Sequence, residues 1–365
     1  MNAIKVNLQR PWKFSDSPYY EYLTKNVDPE IDYVNTLGKH QGIAKNIKSF
    51  KFQNYLKYVA KHLIRRLFSS MPNAIKTRDN SSFDIIHCAH CLSKNKRPWV
   101  VDIEWPAQFW AGRKVFPKNR DKILRLLLSK HCKKVLAWTN WSREEILKVF
   151  PEIDNKIEVL YPALKPTIVY RDYKKIRLLF VSRRFYFKGG LHALEVIDRL
   201  TRKYKDVEAV FISDTPREII EKYSQNPKIK FHSFISKEKM LEEIYPKSDI
   251  LIYPSYTDTF GFVLIEALSF GIPAITVDGQ SRREIINDGE TGFVVDKIEK
   301  IDYTTLEGQE EIIEKMVEKT SLLIENRKLL EKMSLNAYSN VEHGRFSIKK
   351  RNDKLAKIYE EAVNK

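Results

Sequence analysis

The chain has 365 residues, 43% hydrophobic, 12% aromatic and 30% charged, a profile that fits a folded protein of two or three domains and excludes disordered, collagen-like and fibrous classes. No apolar run reaches the ~18 residues of a membrane span. The formal net charge is +17 and uneven: residues 1–165 carry 30 basic and 15 acidic side chains, the remainder 34 and 32. The basic half favours anionic partners, among them phospholipid surfaces, nucleic acid and phosphorylated substrates.

In chain order, the start MNAIKVNLQRPWKF lacks the basic cap, apolar stretch and cleavage site of a secretory leader. With only Cys88, Cys91 and Cys132 there is no disulfide framework, and a cytoplasmic location is expected. AIKVNL, FDIIHC, PWVVDI, KKVLAW and KIEVLY read as strands, with helices near 54–68, 121–131 and 142–149. Residues 33–78 hold ten Lys/Arg and no acid. Within them Leu56, Val59, Ala60, Leu63, Ile64 and Leu67 form one helical stripe, and Lys57, Lys61 and Arg65 another. Such a helix packs on its own sheet or docks on anionic lipid. His87, Cys88, His90 and Cys91 have metal-like spacing, but a structural zinc site needs a second ligand pair, so they are expected in the core and at its edge, with no metal. Asp102 and Glu104 fall on one face of a strand end.

The second half has a clearer rhythm. IRLLFVS, VEAVFIS, KIKFHSF, DILIYPS, PAITV and GFVV are six short apolar runs separated by helical stretches. This alternation predicts a parallel, doubly wound sheet covered on both faces. The expected division is an N-terminal Rossmann-like domain over 1–165, a second over 166–345, and a helix over 346–365 returning to the first.

Three stretches of the second domain carry chemistry. In FVSRRFYFKGG (180–190), Arg183 and Lys188 follow a strand and precede a helix start, which suits a diphosphate. In YPSYTDTFGFVLIEALSFGIPAI (253–275), Gly261 opens a helix whose N–H groups favour phosphate, Glu266 can reach ribose hydroxyls, and Asp258 lies in the preceding turn. In VDGQSRREIINDGETGFVV (277–295), Gly279 lets backbone approach a ligand.

Taken together the three stretches resemble the C-terminal domain of retaining glycosyltransferase family 4, which has the GT-B fold. The resemblance rests on Asp258 and Glu266 eight apart, on Pro254, Phe260, Gly261, Ala267, Gly271 and Pro273, and on Arg183, Lys188 and Gly189; it covers residues 176–296 and the tail near FSIKKRNDKLAKIYEEA. Asp258 stands where Glu is usual. It implies an α/β protein of two Rossmann-like domains facing a cleft, moving a sugar from a nucleotide-diphosphate sugar with retention and without a metal or cofactor. Arg183, Lys188, Asp258 and Glu266 would be catalytic. Gly189, Thr259, Phe260, Gly261, Phe262, Val263 and Gly279 would bind the donor. On the acceptor side this sequence departs from the family, with QRPWKFSDSPYY in place of its glycine-rich loop and Glu104 where a histidine is common, so the candidates there are this chain's own: Ser15 and Asp16 in that segment, and Asp102 with Glu104, whose shared strand face could bind an acceptor or act on its hydroxyl. The acceptor would be a glycan or lipid-linked glycan, with helix 54–68 on the inner face of the cell membrane. A nucleotide-sugar epimerase or phosphorylase on the same fold, and a non-catalytic anionic-surface binder, remain the alternatives. Nucleic acid is not an expected partner, since no aromatic RNA-binding signature, zinc finger or helix-turn-helix is found.

Overall fold

The structure, a computed structural model, describes residues 3–10, 19–35, 68–77 and 82–364. They divide into two units, one formed by Met1–Ala163 with Ile348–Lys365 and the other by Leu164–Ser347.

The first unit is built on strands β1 (Ile4–Gln9), β2 (Ile31–Tyr33), β4 (Ile85–Ala89), β6 (Trp99–Ile103), β7 (Cys132–Ala137) and β8 (Ile157–Val159), with a small separate pair, β3 (Ala74–Ile75) and β5 (Leu92–Ser93). The main sheet is parallel throughout, in the order β2-β1-β4-β6-β7-β8. Both faces are covered, so β4 and β6 are buried at every position, as continuous apolar runs require. On one face Trp99, Val101, Ile103, Phe109, Trp110, Ile123, Ile146 and Phe150 form the core. On β4 and β7 rests the helix Ile348–Asn364. It brings Tyr359 to His87, whose ring nitrogens meet the Tyr359 hydroxyl and, at 2.6 Å, Asp102 Oδ2; Tyr33 meets Tyr359 at 3.0 Å. This is a buried polar chain in an apolar layer, and such groups are tolerated only when bonded.

The second unit has strands β9 (Ile176–Val181), β10 (Val207–Ile212), β11 (Ile229–His232), β12 (Ile250–Tyr253), β13 (Ala274–Val277) and β14 (Gly292–Val295). Its sheet is again parallel, ordered β11-β10-β9-β12-β13-β14. This is the 3-2-1-4-5-6 order of a dinucleotide-binding fold. The helix Gly190–Lys203 packs against Glu310–Glu325, and Phe262–Ser269 against Arg327–Glu342.

At the N-terminal edge of this sheet, Asp249 is buried. Its Oδ2 accepts from the Arg177 amide at 2.8 Å, and Arg171 Nε lies 3.4 Å from Oδ1. Burial pushes its carboxyl from 3.8 up to about 6, although the Arg177 amide and the nearby arginines pull the other way. The folded state therefore holds this proton more tightly than the unfolded chain. Stability is fullest below the unfolded value, declines as pH rises to about 6, and is level above. Urea unfolding across that window is expected to show the decline in the parent protein and not in Asp249→Asn; equal slopes would remove Asp249 as its source.

Candidate active site

Ligands in open parallel sheets bind beyond the carboxyl ends of the strands where the strand order reverses. In the second unit that point lies between β9 and β12. After β9 the chain makes a short 3-10 turn over Tyr186–Lys188 and enters the helix Gly190–Lys203 through Gly189, at φ +69°. A Cβ on Gly189 would lie 2.7 Å from Pro254 Cβ, so only glycine lets the two loops approach this closely. Ser255 N donates to Lys188 O at 3.1 Å and Thr257 Oγ1 to Phe187 O at 3.0 Å. The loops after β9 and β12 thus act as one piece.

Their side chains converge on Asp258. Lys188 Nζ is 3.0 Å from its Oδ2, which also accepts from the Tyr253 hydroxyl at 2.9 Å and from Ser255 Oγ at 3.4 Å. Burial works against ionisation of Asp258; the Lys188 and Arg282 charges and the hydrogen bonds from Lys188 and Tyr253 outweigh it and hold the carboxyl below its ordinary value. Beneath the loop lies Arg282, with no exposed surface. Its guanidinium donates to Ser255 O (3.0 Å), Ser255 Oγ (3.3 Å), Asp258 O (2.8 Å) and Phe260 O (3.4 Å). Ser281 Oγ donates to Thr259 O.

Gly261, at φ +79°, then starts the helix Phe262–Ser269, and no side chain caps it. First-turn N–H groups have no partner within a helix and carry its positive end, so the backbone at Phe262 and Val263 suits an anion. Farther along, Glu266 is half-buried and accepts from the Tyr245 hydroxyl at 2.8 Å. The site is a bound ammonium, a fixed carboxylate and an uncapped helix start on adjoining loops.

The family described as Glycosyl transferases group 1 matches residues 169–340, a stretch that contains every one of these groups. The second unit is a group 1 glycosyltransferase domain. Relatives of the chain include an uncharacterized 41.2 kDa protein in the cps region of Klebsiella pneumoniae (26% identical, covering 69% of this chain and 68% of the relative). An uncharacterized glycosyltransferase of Methanocaldococcus jannaschii is 23% identical over 58% of this chain and 62% of its own length. An alpha-D-kanosaminyltransferase of Streptomyces kanamyceticus is 25% identical over 50% and 45%. The last two are thus matched over less than two thirds of their own length. Among solved structures, a glycosyltransferase of Rickettsia africae superposes with a TM-score of 0.61 at 18% identity, covering 100% of this chain and 99% of the other. Anabaena HepE in complex with UDP also gives 0.61, at 14% identity over 99% and 100%. The fold is GT-B, as the sequence led one to expect.

Within the glycosyltransferase domain, the remaining expected residues are less closely gathered. Arg183 is exposed and makes no hydrogen bond or ion pair with the described residues. Gly279 has open space at its Cβ position, and its N–H donates to Asp278 Oδ1 at 2.8 Å. Two residues were missed. Arg282 sits beside Arg283 in a doublet that looks solvated; Arg283 does pair outward with Asp278 and Asp296, while Arg282 turns in. His192 meets the Tyr256 hydroxyl through Nδ1 at 2.6 Å and Thr305 O through Nε2 at 2.9 Å, tying the β12 loop to the segment after β14. Nothing in the sequence sets His192 apart in the helix that carries it.

In the first unit, Asp102 requires correction. Expected on the acceptor side, it is fully buried and takes its hydrogen bond from His87, because the helix Ile348–Asn364 covers that face of the sheet. Glu104 is half-buried, 3.5 Å from His90. Burial pushes His90 down to about 3, so its ring is neutral. Cys88, Cys91 and Cys132 are buried free thiols. Ser15, Asp16 and residues 54–67 of the basic helix lie outside the described residues.

Proposed function

We propose that this chain is a retaining glycosyltransferase. It moves a sugar from a nucleotide-diphosphate sugar to an acceptor hydroxyl in polysaccharide, glycolipid or other glycoconjugate synthesis. The observation that carries the reading is Lys188 held 3.0 Å from Asp258, next to the uncapped helix start at Gly261. As the bond between the anomeric carbon and the phosphate oxygen breaks, negative charge builds on the diphosphate. Lys188, Arg183 and the N–H groups of Phe262 and Val263 stabilise it, in place of a divalent cation. Asp258 orients the donor sugar and Glu266 holds the ribose. The acceptor oxygen bonds to the anomeric carbon on the face the diphosphate leaves, and its proton passes to the departing phosphate oxygen. The solved complexes of HepE with UDP and UDP-glucose support a nucleotide-sugar donor, and the basic first half supports an anionic or lipid-linked acceptor in the cytoplasm.

A thermal-shift panel of UDP, GDP and ADP sugars tests the reading. A donor at 100 times its dissociation constant is expected to stabilise the protein by ~2.7 kcal/mol. The anomeric configuration of the product, read by NMR with and without EDTA, tests retention and metal independence. Stabilisation by no nucleotide sugar would overturn the proposal.

A further inference from the structure

Two loops of the first unit are bound edge to edge. Gly112 N donates to Ser69 O at 3.0 Å, Ala111 N to Met71 O at 2.9 Å, and Asn119 Nδ2 to Ser70 O at 2.9 Å. The approach is so close that a Cβ on Gly112 would fall 2.7 Å from Ser69 Cα. This backbone frame leaves three large apolar side chains in water: Phe68 is 53% exposed, Met71 46% and Val115 43%. The same two stretches, residues 68–77 and 110–119, hold four cations (Lys76, Arg113, Lys114 and Lys118) and no carboxylate. Lys114 and Lys118 are exposed.

We infer that these paired loops are a docking surface for an anionic lipid bilayer. Cations alone would serve any polyanion. Exposed Phe, Met and Val gain nothing from a phosphate backbone in water, whereas the boundary between headgroups and acyl chains buries them while the lysines stay with the headgroups. Single-sign charge matches an anionic leaflet. Among the described residues no helix is long and apolar enough to cross a membrane, so contact through these loops is at the surface. The frame matters as much as the composition, because loops already fixed to each other lose little freedom on docking. The inference goes beyond the transferase reading and does not depend on it.

Sedimentation of the full chain with vesicles tests it, comparing phosphatidylcholine alone with phosphatidylcholine containing phosphatidylglycerol. The parent protein is expected to sediment with the anionic vesicles only, and less so as salt rises. Lys114→Glu with Lys118→Glu, and separately Phe68→Ser with Met71→Ser and Val115→Ser, are each expected to weaken binding at least about tenfold. Thermal melting confirms that both variants are folded. No vesicle binding by the parent overturns the inference, as does undiminished binding by the apolar variant. Tighter binding to duplex DNA than to vesicles, unaffected by the apolar changes, overturns it in favour of a polyanion. Nucleotide-sugar stabilisation measured on the same samples separates this outcome from the fate of the catalytic reading.

Discussion

Lys188→Ala is expected to lower kcat for sugar transfer at least ~100-fold, a loss of ~2.7 kcal/mol in transition-state stabilisation. Among the described residues, the ammonium is the side-chain cation paired with the Asp258 carboxylate, at 3.0 Å, with Thr257 O at 3.4 Å as a second tether. Its charge is most valuable when the leaving diphosphate is most negative, so the loss falls on kcat more than on KM. Asp258 keeps the Tyr253 hydroxyl and the Arg282 charge in the variant, so the loop remains formed. Steady-state kinetics on the donor found by the thermal panel would show the effect. Turnover within a few-fold of the parent would remove Lys188 from the mechanism.

Arg282→Met is expected to cost roughly 3 kcal/mol of stability, or about 6–12 °C in Tm. Methionine replaces most of the volume and none of the donors. Ser255 O, Ser255 Oγ, Asp258 O and Phe260 O lose the guanidinium that serves all four. Asp258 also loses a buried positive charge that helps hold it ionised. The same variant should bind donor more weakly, because the loop carrying Asp258 and Gly261 is no longer fixed from beneath. Calorimetry giving a loss under ~1 kcal/mol would mean that water re-solvates these carbonyls and that the arginine is no keystone.

The second unit was readable because its strands are buried on both faces and so appear as unbroken apolar runs between helices. That Lys188, Asp258 and Gly261 fall on the loops after β9 and β12 was readable because each follows a strand end closely. Arg282 was not, since two adjacent arginines on a short helix point in different directions and sequence does not say which one turns inward. The first unit yielded less. β2 has only three residues, Ile31–Tyr33, too short for a period to register. Asp102 and Glu104 do share a parity along their strand. What parity cannot tell is that a helix more than two hundred residues later lies over Asp102 and converts a strand-end carboxylate into an interior one.

That late helix also sets an order of assembly. The second unit is one uninterrupted stretch, whereas the first draws on both sides of it. During synthesis His87 and Asp102 emerge early but wait for Tyr359, so the first sheet lacks this helix until the entire second unit has been translated. Cutting the chain near Ile348 would therefore damage the half that lies farthest away in sequence.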